Sequence, residues 1–314
     1  MNAVTIWTSR VEAYLAYRRR FGFELKIEGA RLASFARFAN ERGAEQLTLE
    51  LATDWARASC HPRSISWARR IEVLRGFATF CLRMDPETVV PPRHLFGPAH
   101  RRLVPHIYTD EELQMLLAAT DRLGPPESLR PATCRTLLGL LAATGLRISE
   151  AIHLTRADVD LDAGTLDIRN AKYHQRRFIP LHVSVPPRLM AYVQLRDKLV
   201  PTPCYDHFFL RDDGRPVDPR SLRYTLRSLC HQLGWQVRGD HAYHRLHDLR
   251  HTFIVHSVLR LYEQGGDIER SLPALSIYVG HAKLADTYWY LTGIPDLMVL
   301  ATERFHHYVQ GEPT

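Results

Sequence analysis

The 314 residues lack a paired cysteine motif and any long apolar run, and the chain is poor in lysine although it is basic. The five cysteines, Cys60, Cys81, Cys134, Cys204 and Cys230, are odd in number, widely spaced and never arranged as Cys-x-x-Cys. That excludes a disulfide framework or a zinc ribbon, and predicts reduced thiols in a cytoplasmic protein. No apolar stretch approaches the roughly 20 residues of a membrane helix. The opening Met1-Asn2-Ala3-Val4-Thr5-Ile6-Trp7 has no charged start followed by an apolar core, so neither a membrane partner nor a secretory signal is expected. Internal repeats and low-complexity tracts are missing too. What is present is 45% apolar content, enough for two domains with cores of their own.

The formal charge is +7, and its distribution says more than its size. Residues 1–105 hold 17 Lys+Arg against 10 Asp+Glu, whereas residues 106–314 hold 24 against 24. A basic module joined to a neutral one suits a protein whose first domain grips a polyanion.

The first third reads as helices. Leu32, Phe35, Phe38 and Ala39 repeat at helical spacing, as do Leu74, Phe77, Ala78 and Cys81. Thr48 stands where an N-cap belongs, ahead of Leu51 and Trp55. Between the stripes lie Arg18, Arg19, Arg20, Arg31, Arg37, Arg57, Arg63, Arg69, Arg70 and Arg75. Each reads equally as solvated helix surface or as a phosphate contact; as a set they favour DNA. Asp85-Pro86, Val90-Pro91-Pro92 and Gly97-Pro98 then break the pattern, and Arg93, Arg101 and Arg102 keep the stretch basic. The predicted division is a helical domain over 1–90, a basic Pro-rich linker over 91–106 and a second domain over 107–314. Such a linker would let two domains close on a duplex.

The second domain reads as mainly helical with a little strand. It opens on a capping box, Thr109-Asp110-Glu111-Glu112. An apolar helix through Leu137–Ala143 ends at Thr144-Gly145. A hairpin is expected over 159–168, turning at Asp162-Ala163-Gly164, with a further strand at Arg177–Leu181. After Asp212-Asp213-Gly214 the chain returns to helices.

Four segments of this domain carry the polar residues that matter: Thr144-Gly145-Leu146-Arg147-Ile148-Ser149-Glu150, Asn170-Ala171-Lys172-Tyr173-His174-Gln175, His247-Asp248-Leu249-Arg250-His251, and Gly280-His281 with Tyr290 nine residues on. Attack on a phosphodiester builds negative charge on the non-bridging oxygens, and two arginine forks are suited to clamp it. A tyrosine nucleophile, with a pKa near ~10 in water, needs a base or a positive field. The departing 5′ oxygen needs an acid, which a lysine in a positive site can be. Only four lysines occur (Lys26, Lys172, Lys198 and Lys283), so one in this hairpin loop argues for a titratable ammonium there. The run His241, His244, His247, His251 could be read as a metal site, but no cysteine or carboxylate arrangement completes it. Thr287-Tyr288-Trp289-Tyr290-Leu291 offers two tyrosines as nucleophile.

In order and spacing these boxes resemble the catalytic boxes of the tyrosine recombinase (phage integrase) family. The resemblance covers about residues 106–310 and, more loosely, the helical domain. It implies a two-domain fold: an all-α, SAM-like core-binding domain, then a mainly α (α+β) catalytic domain of the DNA breaking-rejoining type with a small antiparallel sheet. It implies that Arg147 and Arg250 clamp the phosphate, and that His247 accepts the tyrosine proton or positions the phosphate. His281 would bond a non-bridging oxygen, Lys172 would be the general acid, and Glu150 and His251 would orient the others. The family interval selects Tyr290 over Tyr288. The loop departs from the family's Lys-Gly-x-Lys, reading Lys172-Tyr173-His174-Gln175. DNA contacts are expected from Arg18, Arg19, Arg20, Arg69, Arg70, Arg93, Arg101 and Arg102.

The resemblance further implies site-specific cleavage and rejoining of duplex DNA through a 3′-phosphotyrosine and a Holliday junction, without metal, ATP or other cofactor. The partners would be an inverted-repeat core site and three further copies of the chain, a homo-tetramer on two DNA sites, with room for accessory recombinases or DNA-bending proteins. Leu297, Val299, Leu300 and Phe305 would form a helix docking on a neighbouring protomer. The Ile294-Pro295-Asp296-Leu297 stretch looks like members carried on transposon-like elements, favouring integration, excision or transposition of a mobile element. Two rivals come from other classes. A type IB topoisomerase would relax any supercoiled plasmid as a monomer. A non-catalytic DNA-binding regulator would have lost part of the set, which is intact.

Overall fold

The computed structural model describes residues 6–58, 64–125, 127–169, 176–264, 266–293 and residue 302. It divides into two units, Met1–Arg102 and Leu103–Thr314. The division falls inside the stretch read as linker, and residues 91–102 go with the helical unit.

Among its described residues the first unit holds four helices: α1 (Ile6–Arg19), α2 (Lys26–Glu41), α3 (Leu49–Arg57) and α4 (Ser64–Cys81). Its core is aromatic. Trp7 of α1 meets Phe35 of α2 edge-on at 5.5 Å, Phe35 meets Trp55 of α3 at 5.3 Å, and Phe77 of α4 closes the group at 6.1 Å from Phe35. Burying a ring such as Phe35 or Phe77 contributes roughly 1.5–3 kcal/mol. The indole of Trp7 donates to the Ala44 carbonyl at 2.6 Å, so its polar edge is satisfied. Thr48 caps α3, its hydroxyl accepting from the Leu51 N–H at 3.1 Å. Phe38, expected in the stripe with Phe35, lies at its edge under the Arg42 guanidinium, 3.9 Å from the ring centre. Rotation of 100° per residue carries it off the buried side.

The second unit begins with α5 (Asp110–Ala119), whose capping box joins Thr109 and Glu112 in both directions. Next come α6 (Arg130–Thr144) and the short α7 (Ile148–Ile152), then three strands: β1 (Val159–Asp160), β2 (Thr165–Ile168) and β3 (Arg177–Pro180). The sheet is antiparallel in the order β1-β2-β3, with Val159 opposite Leu166 and Ile168 opposite Arg177. The helices α8 (Pro186–Leu199), α9 (Pro219–Gln232), α10 (Leu246–Glu263), α11 (Ile268–Val279) and α12 (Ala285–Gly293) follow among the described residues. Leu137, Leu138, Leu140 and Leu141 are all buried, so α6 is apolar nearly all round and runs through the middle of the unit, packed on α10. A second apolar cluster joins Ile254, Val255 and Val258 of α10 to Leu272 and Val279 of α11 and Tyr290 of α12. Its packing holds Tyr290 of α12 against α10 and α11. No described helix is long and apolar enough to cross a membrane.

Candidate active site

The site starts where α6 stops. Gly145 ends that helix in the left-handed region, at φ 61°. A Cβ there would also stand 2.5 Å from the ring of Phe253, so both the conformation and the close approach of α10 require glycine. The turn delivers Arg147 to the start of α7. The Arg147 N–H donates to Glu150 Oε2 at 3.0 Å, and its guanidinium donates to Oε1 at 2.8 Å and to the Gly280 carbonyl at 2.5 Å. Glu150 is buried and held from its other side by Arg177 of β3, at 3.1 and 2.8 Å. Burial works against the Glu150 charge, but Arg177 and then Arg147 outweigh it and hold the carboxyl below its ordinary range.

On α10, His247, Arg250 and His251 stand at positions i, i+3 and i+4 and so share a face. Arg250 is buried, and its Nη1 donates to the Gly145 carbonyl at 2.7 Å. Its Nη2 is buried with no hydrogen-bond partner among the described residues. Burial first, then the charge of Arg147, push the guanidinium down to about 10, so it stays charged at neutral pH. A buried charged donor without an acceptor is costly, and an entering anionic oxygen would satisfy it. His247 meets solvent at its edge, yet packed protein and then Arg250, Arg245 and Arg147 push its imidazole down to about 3. Water at that edge moderates the shift; the direction leaves the ring neutral at pH 7.

The third side comes from the end of α11. Gly280 is left-handed at φ 71°, and a Cβ there would lie 2.7 Å from the Arg177 guanidinium. His281 follows, its Nδ1 2.8 Å from the Thr287 hydroxyl. The ring of Tyr290 lies parallel to His281, 6.3 Å away. Tyr290 is buried at 3% exposure, whereas Tyr288 is 42% exposed. The Tyr290 hydroxyl is 2.5 Å from Nδ1 of His251, and the His247 ring abuts His251 edge-on at 4.6 Å. His251, read from sequence as an orienting residue, is therefore in direct contact with the phenol.

Arg147, Glu150, His247, Arg250, His251, His281 and Tyr290 thus gather in one place. Lys172 lies outside the described residues, as do His174, Leu297, Val299, Leu300 and Phe305. The stems of the Lys172 loop are described: Asp167 holds Arg169 at 2.8 Å and Arg176 at 2.7 Å, one on each side. In the helical unit Arg19, Arg20, Arg69, Arg93, Arg101 and Arg102 are exposed. Arg18 is half-buried beside Phe23, and Arg70 lies over the Trp55 ring at 4.0 Å, partly engaged in packing. Arg69 spends one N–H on the Ala99 carbonyl at 3.1 Å. Sequence reasoning missed Arg177. It also fastens the end of α11, donating through Nε to the Tyr278 carbonyl at 3.1 Å. The one signal was a pair of arginines, Arg176-Arg177, at the start of a strand.

Solved structures share this fold. XerH site-specific recombinase bound to its palindromic difH substrate superposes with a TM-score of 0.66 at 17% identity, over 89% of this chain and 79% of that one. The Tn1549 transposon integrase in complex with circular intermediate DNA gives 0.65 at 17% identity, over 90% and 94%. In sequence, the protein named as integrase/recombinase y4rB of Sinorhizobium fredii is 37% identical over 298 residues, 94% of this chain and 95% of that one. Tyrosine recombinase XerC of Staphylococcus carnosus is 29% identical over 70% of this chain and 68% of its own length. The model of the phage integrase family matches residues 107–293. The chain belongs to the phage integrase family.

Proposed function

We propose that this protein is a site-specific recombinase that cuts and rejoins duplex DNA through Tyr290, serving integration, excision or transposition of a mobile element. The observation that carries the reading is the gathering of two arginines, the neutral imidazoles of His247 and His251, the ring of His281 and a buried phenol, with a guanidinium N–H that has no hydrogen-bond partner among the described residues. Arg147 and Arg250 clamp the non-bridging oxygens, where charge grows as the phosphorus becomes pentacoordinate. His247 and His281 position the phosphate. Glu150 keeps Arg147 from swinging out. Lys172 protonates the leaving 5′ oxygen, and the 3′-phosphotyrosine stores the bond energy for religation. Neither ATP nor a metal ion has a step to perform, so chelator leaves the rate unchanged.

The protein acts in the cytoplasm, on nucleoid DNA, as a tetramer on two inverted-repeat sites. A hydroxyl of the partner duplex attacks the phosphotyrosine, passing through a Holliday junction. The first unit tracks the duplex through its exposed arginines, and residues after about 294 link neighbouring protomers. Deleting those residues should prevent assembly on DNA while the monomer still folds.

The direct test uses a core site selected from a randomised duplex library and nicked to trap the covalent complex. Tyr290→Phe should abolish capture with DNA binding intact, while Tyr288→Phe captures normally. Capture that persists in Tyr290→Phe and disappears in Tyr288→Phe would reassign the nucleophile.

A further inference from the structure

A phenol that attacks phosphorus must lose its proton, and the group that takes it must come within hydrogen-bond reach of the hydroxyl, directly or through one water. His247 matches the family's histidine box, but its described ring contact is with the neighbouring imidazole of His251, at 4.6 Å. The atom 2.5 Å from the Tyr290 hydroxyl is Nδ1 of His251. The two rings are tilted, with centres 5.5 Å apart, so the hydroxyl meets the ring edge where the nitrogen lone pair lies. The contact joins α10 to α12 across 39 residues of chain. It therefore depends on how α12 packs, which no local motif encodes.

We propose that His251 takes the Tyr290 proton in the cleavage step, and that the entering phosphate is what makes it able to. This assignment rests on the recombinase reading, with Tyr290 as nucleophile. In the free protein the phenol donates and a neutral ring accepts at Nδ1. Burial first, then the neighbouring His247 ring and the cations Arg245 and Arg250, hold the His251 imidazole far below its ordinary range and so neutral. A scissile phosphate brings one negative charge beside Arg250 and Arg147, and the pentacoordinate state adds more. Both offset the cations that oppose an imidazolium.

The step then balances. The bond from Tyr290 Oη to phosphorus forms, and the phenolic proton passes to His251 Nδ1. The bond from phosphorus to the 5′ oxygen breaks, and that oxygen takes its proton from Lys172. Religation runs the same path backwards, with the imidazolium returning its proton to the phenolate. A base that works only when substrate is bound avoids a standing, reactive tyrosinate in the unbound enzyme.

The experiment uses the full chain and single-turnover capture on the nicked core site at saturating DNA. His251→Ala and His251→Gln should each slow capture by about 10²–10⁴-fold, the usual worth of positioned proton transfer, with DNA affinity unchanged. The glutamine can still accept the phenol's hydrogen bond but cannot take its proton. Replacing Tyr290 by a fluorinated tyrosine, whose phenol ionises near neutral pH, should restore both His251 variants to within about tenfold of the parent. His247→Ala should not be restored. A normal rate in His251→Gln would make the residue a positioning group and overturn the proposal, as would rescue of His247→Ala alone. Failure of the parent chain itself to form any covalent complex would overturn the recombinase reading, and this assignment with it.

Discussion

The two units use polar groups in opposite ways. Among the described residues, the helical unit buries one polar side chain, Thr88, around an aromatic core. The second unit buries fifteen, including Glu150, Asp158, Asp167, Arg196, Asp248 and Arg250. Net charge runs the other way: the whole formal excess of +7 lies in residues 1–102, and residues 103–314 balance. Exposed charge steers and holds a polyanion at little cost to the fold. Buried charge is expensive, and it persists where each group is held by several others and has a reaction to perform.

Four changes sharpen or break that contrast. The largest effect belongs to Arg250→Ala, which should lower single-turnover cleavage by about 10²–10³-fold, as removal of one charge-stabilising donor does, with little change in DNA affinity. An equal loss of affinity and rate would mean that Arg250 only binds. Next is Arg177→Ala. It leaves Glu150 with Arg147 alone and frees the end of α11, so Arg147 and His281 lose their fixed spacing. Cleavage should fall by about 10²-fold, the usual result of a misplacement near 1 Å. Stability should fall by about 3 kcal/mol, because Glu150 is buried at 1% side-chain exposure and one partner of its pair is gone. Chemical denaturation alongside the cleavage assay separates the two effects.

Acid should strike the second unit through its buried histidines. His106 is wholly buried, and its Nδ1 accepts from the Arg238 N–H at 3.0 Å. Burial first, then His244 and Arg238, push its imidazole down to about 4. The unfolded chain takes up this proton near ~6.5, and the folded one only near the lower value. The stabilisation is therefore complete above the upper value and declines as pH falls between the two, by up to about 3 kcal/mol. Calorimetry between neutral and mildly acidic pH should show a slope that His106→Gln flattens. The smallest effect is expected from Arg19→Ala with Arg20→Ala. Stability should move by less than about 0.5 kcal/mol. The salt dependence of DNA binding should lose about one unit of slope per phosphate contact, and cleavage of bound DNA should not change. A cleavage defect at saturating DNA would break the division of labour.

Much of this was legible in the sequence because it is local. The Thr144–Glu150 turn, the His247–His251 face and the Gly280-His281 turn each lie within one element or at its end. Spacing alone therefore says which residues act together, and the Thr48 cap and the Thr109–Glu112 box were legible for the same reason. Arg177 was not, since adjacent residues of a strand point to opposite sides. Which of Arg176 and Arg177 meets Glu150 is decided by the pairing of Ile168 with Arg177. The contact of His251 with Tyr290 was equally hidden, being made by the packing of α12. Nor could spacing separate an exposed arginine such as Arg19 from Arg70, whose guanidinium covers Trp55.

The measurement closest to the central claim is mass spectrometry of the trapped complex after proteolysis. A single modified peptide is expected, with the DNA joined through its 3′ phosphate to the hydroxyl of Tyr290. A 5′ linkage, or an adduct on Tyr288 or on any other side chain, would contradict it.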